Sequence, residues 1–347
     1  MSYFADRLNL MNPEAKREVA EFLKDNFNMV YGDGVDRTFL VRSGEEIIAT
    51  ASRDGNVIKY LGVKAAYRGE NIAGVLIAAL LEDLFQAGIY HCFIFTTPSN
   101  QALIESLGFR EIIATPYSVL LEFGNVSIHS YMDQLKGLMG GAAGQRGAIV
   151  MNLNPMTLGH LHLIETALKS VDELLIFIVE ADRSVYPFAA RYRIAAEELS
   201  RYGQIKVLPG GPYIISPATF PTYFLKQADD DLKAYTLTDA GIFGRYFAKA
   251  LDITKRFVGE EPLDPLTNEY NRVLRSTLEP YGVEVIVIPR LEMAQQVISA
   301  SRVRRFLAQG EVEKALELVP NTTKKFILSK EGQGITQVLK TNLDSSN

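Results

Sequence analysis

Cysteine is nearly absent from this 347-residue chain: Cys92 alone cannot form an internal bridge, which excludes the small disulfide-stapled class of secreted domain. It lies in the apolar run His91–Phe95 (HCFIF), so it reads as a buried structural thiol, and a reducing cytoplasm fits. Histidine is scarce as well. His91, His129, His160 and His162 are not spaced with cysteine or acidic partners in the manner of metal ligands, which argues against a structural zinc site. The longest apolar run, Ile72–Leu81, is about half of the roughly 20 residues that a bilayer span needs. The N-terminal MSYFADRLNL has no basic leader followed by an apolar core, so neither export nor membrane insertion is expected. Positive charge is not in excess: 36 Lys and Arg stand against 41 Asp and Glu, a net charge of −5. That removes the broad basic footprint of a nucleic-acid binder, so any phosphate ligand must be held by local arginines.

What is present is apolar content, 47%, enough at this length for about two domains with a core each. No internal repeat or long low-complexity tract interrupts the chain, and the composition shifts once, at Gly137–Gly147 (GLMGGAAGQRG). The expected organisation is therefore a domain over 1–125, a linker over 126–146 and a second domain over 147–347. In the first, the patterning predicts a helix at Glu14–Asn26, strands near Arg37–Val41, Glu45–Ser52 and Val57–Val63, and a helix at Ile72–Ala87. A strand at Cys92–Thr97, a short helix at Asn100–Leu107 and a final strand over Phe109–Glu122 complete it. In the second, strands near Ala148–Leu153, Leu174–Val179, Ile205–Leu208, Ala234–Leu237, Lys255–Val258 and Val283–Ile288 alternate with helices. Alternation predicts an α/β fold with a parallel, doubly wound sheet and ligands at the carboxyl ends of its strands.

Chemistry concentrates at those strand ends. AIVMNLNPMTLGHLHLIETAL, residues 148–168, is an apolar strand that breaks at Asn154-Pro155, passes Thr157-Leu158-Gly159-His160 and opens into a helix. Such a junction offers amide N–H groups, the positive end of a helix dipole, a hydroxyl and an imidazole to a polyphosphate. Pro155 fixes the turn, Gly159 allows close backbone approach, and Thr157 and His160 are directional donors. His162, two positions on, falls on another helical face and reads as packing or surface. VISASRVRRFLAQG, residues 297–310, places Ser299 and Ser301 before a helix and Arg304 one turn inside it, suited to a pyrophosphate tail. EADRSVYPFAARYRIA, residues 180–195, gathers Asp182, Arg183, Arg191 and Arg193 after a strand. Arg183, in the loop, is the better candidate for orienting a substrate, whereas Arg191 and Arg193 read equally as solvated helix residues. Gly259 and Glu260, in FVGEEPLDPLTNEYN, follow another strand and could meet the nucleoside, or simply form a polar loop.

The T-x-G-H element resembles the [T/H]-x-G-H signature of the nucleotidyltransferase superfamily, and VISASRVR resembles its I-S-S-T-x-I-R element, with Arg304 retained. The first domain resembles the N-acetyltransferase (GNAT) α+β fold: in VKAAYRGENIAGVLIAALL, Arg68, Gly69 and Ala73 match its pyrophosphate-cradling motif, while Asn71 replaces the middle glycine. Ile104 stands where a tyrosine general acid commonly sits, and isoleucine cannot protonate a leaving thiolate. The domain is therefore expected to keep the fold, and to dock a pantetheine arm or carrier protein or serve as a scaffold, without acetyltransferase chemistry.

Taken together, the order MNLNPMTLGHLHLIE, PGGPYIISPATFPTYFLK (Pro209–Lys226), FVGEEPLDPLTNEYN and VISASRVR, behind an acetyltransferase-like domain, is similar to the citrate lyase ligase family over nearly the whole chain. The resemblance implies activation of acetate by ATP to acetyl-adenylate, with magnesium carried by the nucleotide. Acetyl then passes to the thiol of the phosphoribosyl-dephospho-coenzyme A group on the acyl carrier subunit of citrate lyase. It implies Thr157, His160 and Arg183 as catalytic, and Asn154, Pro155, Gly159, Gly259, Glu260, Ser299, Ser301 and Arg304 as ATP-binding. Arg68, Gly69, Asn71 and Ala73 are left for the prosthetic arm. Two other readings stay open: an adenylyltransferase that joins AMP to phosphopantetheine or nicotinamide mononucleotide, and a non-enzymatic coenzyme A or carrier-protein binding module.

Overall fold

The structure is a computed structural model that describes residues 3–32, 34–139, 144–181, 184–214, 228–260, 265–293 and 296–344. The chain divides into two compact units, Met1–Tyr131 with Pro217–Thr238, and Met132–Ser216 with Asp239–Asn347.

The first unit is a seven-stranded sheet in the order β1-β2-β3-β4-β5-β7-β6. Its strands are β1 Asp6–Arg7, β2 Arg37–Ser43, β3 Glu46–Asp54, β4 Val57–Val63, β5 His91–Thr96, β6 Arg110–Ala114 and β7 Val119–Gly124. Its helices are α1 Pro13–Phe27, α2 Ile72–Gln86 and α3 Gln101–Ser106. Helix α1 starts where Asn12 accepts from the amides of Glu14 and Ala15, with Pro13 in the first turn. Helix α2 buries Ile72, Leu76, Leu80 and Leu84 against Val41, Ile48 and Ile58 of the sheet, the spacing of one helical face. The strand expected over 109–122 is two strands. Pro116 has no N–H for a ladder, and the Thr115 hydroxyl accepts from the amides of Tyr117 and Ser118, so the chain reverses there. Pairing within the sheet is antiparallel except between β4 and β5, which meet at Val57–Phe93 and Ile58–Ile94 and then diverge. The divergence opens a cleft.

Within 126–146, expected as a linker, Ile128–Leu138 forms helix α4. Its first amide is bound by the buried Glu122 carboxylate at 3.1 Å.

The second unit carries a parallel five-stranded sheet in the order β10-β9-β8-β11-β12, built from β8 Arg146–Met151, β9 Glu173–Ile178, β10 Ile205–Pro209, β11 Ile253–Gly259 and β12 Glu284–Ile288. Its helices are α5 Leu158–Leu168, α6 Phe188–Leu199, the later part of α7 Ala228–Ile242, α8 Lys249–Leu251, α9 Pro265–Leu278, α10 Ala300–Ala308, α11 Val312–Glu317, α12 Asn321–Leu328 and α13 Lys330–Asp344. The sixth strand expected at Ala234–Leu237 lies inside α7, which continues through a π-helical stretch, Phe243–Ala248. A short apolar run cannot by itself distinguish a strand from a buried helix. Here Phe243 and Phe247 pack edge-on to Phe177 of β9, centroids 6.4 and 5.5 Å away. Strand order reverses between β8 and β11, the switch point at which open α/β sheets leave a crevice for ligand. The Asn154–His160 loop follows one of these strands and Gly259-Glu260 the other.

Candidate functional site

The loop after β8 is held by a residue that sequence reasoning left evenly between a solvated helix arginine and a functional one. Arg191 of α6 is completely buried. Its Nε donates to the Tyr186 carbonyl at 2.9 Å, Nη1 to the carbonyls of Asn152 (2.9 Å) and Val179 (2.6 Å), and Nη2 to that of Ala181 at 3.3 Å. One planar guanidinium thus ties the carboxyl ends of β8 and β9 to the loop that precedes α6. The Asn154 side chain adds a second tie, accepting from the Tyr186 amide at 3.1 Å. Arg193 is instead a surface residue that pairs with Glu331 at 2.6 Å. Asp182 and Arg183 lie outside the described residues.

Thr157 caps α5 and is itself buried. Its Oγ1 accepts from the His160 amide at 3.4 Å, and its own amide donates to His160 Nδ1 at 3.0 Å. A backbone N–H can only donate, so Nδ1 is an acceptor and the proton of the neutral ring sits on Nε2. Burial, reinforced by the positive charge of Arg290, pushes the imidazole pKa down to about 4. At neutral pH, His160 is therefore an uncharged Nε2–H donor with a fixed ring. The expectation of several open amides is modified, because Leu158 N–H is spent on the Leu318 carbonyl at 2.9 Å and His160 N–H on the cap.

The two sequence anchors meet. Arg304 of α10 donates through Nη1 to the Asn154 carbonyl, between the cis Asn154-Pro155 turn and the second anchor. Gly159 is needed for the same junction: a Cβ there would stand 2.7 Å from the carbonyl oxygen of Ile298, the residue before Ser299. Ser299 caps α10 by accepting from the Arg302 amide at 3.3 Å, and its hydroxyl lies 3.0 Å from that of Ser301. Arg304 is half-buried, and its pKa is held below the ordinary guanidinium value by desolvation.

The third edge of this corner comes from β11 and β12, paired in register at Gly259–Ile288. Among the described residues, none stands within 4 Å of where a Cβ on Gly259 would be, so none of them demands glycine there. The backbone of Glu260 does more than its side chain: its amide donates to the Ile288 carbonyl at 2.9 Å and its carbonyl accepts from Arg290 Nε at 2.7 Å. Arg290 escaped the sequence reading, although an arginine two residues past a strand of this sheet carries the same positional signal as the other sites.

In the first unit, Arg68, Gly69, Asn71 and Ala73 all line a cleft of about 600 Å³ between the diverging β4 and β5 and the start of α2. Asn71 sits at φ 57°, ψ 20°, the left-handed conformation that asparagine tolerates best after glycine, which is how it stands in the glycine's place. Ile104 lines the same cleft and is 1% exposed. The Tyr60 hydroxyl accepts from the Gly32 amide at 3.1 Å, and burial raises its pKa. Cys92 lies in the core of this unit, its pKa pushed up to about 12 by burial, so it is an inert thiol. Among the described residues, no three His, Cys, Asp or Glu side chains are grouped to hold a metal, and no helix is long and apolar enough to cross a membrane.

Residues 146–327 match the model of the citrate lyase ligase C-terminal domain, and residues 5–109 that of the acetyltransferase (GNAT) family. A [citrate [pro-3S]-lyase] ligase of Klebsiella pneumoniae is 33% identical over 335 residues, covering 94% of this chain and 97% of its own. The Escherichia coli protein of that name is 34% identical, with 89% of each chain covered. That of Haemophilus influenzae is 37% identical, covering 82% of this chain and 86% of its own.

Proposed function

Because this chain belongs to the citrate lyase ligase family, we propose that it activates citrate lyase by acetylating the thiol on the lyase's acyl carrier subunit at the expense of ATP. A carboxylate oxygen of acetate attacks the α-phosphorus, the bond to the β-phosphate breaks, and pyrophosphate leaves. The carrier thiol then attacks the acetyl carbonyl, loses its proton, and AMP departs. Attack on phosphorus needs no covalent enzyme intermediate, so rate enhancement comes from positioning and from donors set in advance for the developing charge.

In this scheme the His160 Nε2–H donates to an α-phosphate oxygen, and Thr157 holds the ring in the donor tautomer. Ser299, Ser301 and Arg304 receive the departing pyrophosphate, while Asn154, Pro155 and Gly159 shape the turn against which it lies. Gly259 and Glu260 border the nucleoside, and Arg183 orients acetate. Magnesium would ride on phosphate oxygens, neutralising their charge, since no protein cage is gathered among the described residues. The cleft containing Arg68, Gly69, Asn71 and Ala73 would take the prosthetic arm, and Ile104 offers no proton at the position where the fold family commonly has a tyrosine. Lacking disulfides and carrying a buried, unreactive Cys92, the enzyme suits the cytoplasm.

The observation that carries this reading is the Arg304–Asn154 contact, which joins the two motif-bearing loops into one corner beside the switch point. Acetate-dependent exchange of labelled pyrophosphate into ATP tests the first half-reaction without the carrier, and loss of titratable carrier thiol tests the second. Exchange driven by a phosphorylated cofactor precursor instead of acetate would refute the assignment.

A further inference from the structure

We infer that Arg256 is a buried cation that binds the carboxylate of the acid substrate, with the rings of Phe243 and Phe247 walling its methyl group; the inference rests on the acid-activating reading of the second unit. Arg256 is only 2% exposed, in the middle of β11 and opposite Ala148 of β8. Its guanidinium is incompletely satisfied. Nη2 meets Asp239 at 3.4 Å, a carboxylate with a further interaction of its own, whereas Nε and Nη1 are sealed from solvent without a hydrogen-bond partner. One face is stacked on Phe243, with the guanidinium carbon 4.2 Å from the ring centroid. That contact offsets part of the desolvation of the charge, but it gives the N–H edges no acceptor. Buried N–H groups of a cation left without acceptors are costly, and an anion removes that cost.

The placement suits a substrate. Leu251 ends the helical path just before β11, and Asp239 stands roughly 18 Å of helix before it, against a rise of about 20 Å from Ile253 to Gly259. The contact with Asp239 therefore carries the guanidinium from mid-strand toward the carboxyl edge, the edge at which the Asn154–His160 loop leaves β8. Phe243 and Phe247 stack in parallel, centroids 6.0 Å apart, within the π-helical stretch, a distortion that recurs at functional sites. A guanidinium beside buried rings matches both ends of acetate, with N–H donors for the carboxylate and apolar surface for the methyl. A pair kept for structure alone would be expected to satisfy those N–H groups.

The test is acetate-dependent exchange of labelled pyrophosphate into ATP by the full chain, paired with calorimetric titration of ATP. Arg256→Gln should raise the KM for acetate at least ~10-fold, the loss expected for a charged hydrogen-bonded contact, and leave ATP affinity unchanged. Arg256→Lys, which keeps the charge, should recover part of the acetate affinity. Should the Arg256 variants fail to fold, Phe243→Leu decides: it removes the ring facing the methyl group and should shrink the preference for acetate over propionate, by up to the ~10-fold that one methylene is worth. An unchanged acetate KM in folded Arg256→Gln, equal losses of acetate and ATP binding, or an unchanged acid preference in Phe243→Leu overturns the inference. A wild-type chain with no acetate-dependent exchange overturns the acid-activating reading itself.

Discussion

The protonation state of His160 is the sharpest quantity the structure supplies. An ordinary histidine titrates near 6.5, and at pH 5.5 about 90% of it is protonated. With its pKa held at about 4, only about 3% of His160 carries a second proton at that pH. The ring should therefore remain an Nε2–H donor through the whole range in which a solvated histidine would switch. The cause is burial, with the charge of Arg290 second; protonation would in addition break the cap, because the Thr157 amide occupies Nδ1. Linkage fixes the sign. The folded pKa lies below the unfolded one, so this group's share of stability is complete above about 6.5 and is lost as pH falls toward 4. The full span is on the order of 3 kcal/mol. Histidine NMR reads the titration directly among four rings, and His160→Asn identifies the resonance. In the exchange reaction, His160→Ala should lower turnover about 10²–10³-fold, as for loss of one prepositioned donor, with little change in ATP affinity. A ring that titrates near 6.5 in the folded protein refutes the cap-and-burial argument. Full turnover with only weakened ATP binding refutes the transition-state role.

Three further outcomes follow from the geometry. Arg191→Met should destabilise the second unit by about 3 kcal/mol, because it strands the carbonyls of Val179 and Tyr186 in buried surroundings and releases that of Asn152; an unchanged urea midpoint would contradict the strut. Gly159→Ala should cost about 1–3 kcal/mol and weaken ATP binding, since its methyl group meets backbone, the Ile298 carbonyl at 2.7 Å, so unaltered ATP affinity would show that the junction can part without consequence. Coenzyme A should slow hydrogen exchange at the amides of 69–74 if the first-unit cleft takes a pantetheine arm, and absence of protection would make that unit a scaffold.

Much of this architecture was legible because it depends on local pattern. The parallel sheet follows from alternating apolar strands and helices, and the His160 corner from a strand that breaks at Asn154-Pro155 and restarts as a capped helix. The missed elements depend on what lies opposite in space. Ala234–Leu237 has a strand's composition, and it is the rings of Phe243 and Phe247 against Phe177 that belong to a buried helix. Arg191 and Arg193 are two positions apart on α6 and indistinguishable by sequence, yet one is sealed among carbonyls and the other pairs with Glu331 at the surface.

Asn71 carries the argument one step further. It departs from a glycine motif, yet its left-handed backbone is the conformation such a glycine supplies, and its side-chain oxygen fills the space where a Cβ on Gly74 would stand, 2.5 Å away. Glycine at 74 thus makes room for the asparagine at 71, and the turn geometry is kept while the chemistry of its rim changes. Ile104 in the same cleft is a different kind of exchange, because its own side chain carries no proton to give. Backbone shape can be preserved by exchange between nearby positions, whereas a proton donor must be present at the reacting atom. That asymmetry is why the first unit keeps a cleft fit for a ligand while the chemistry is assigned to the second.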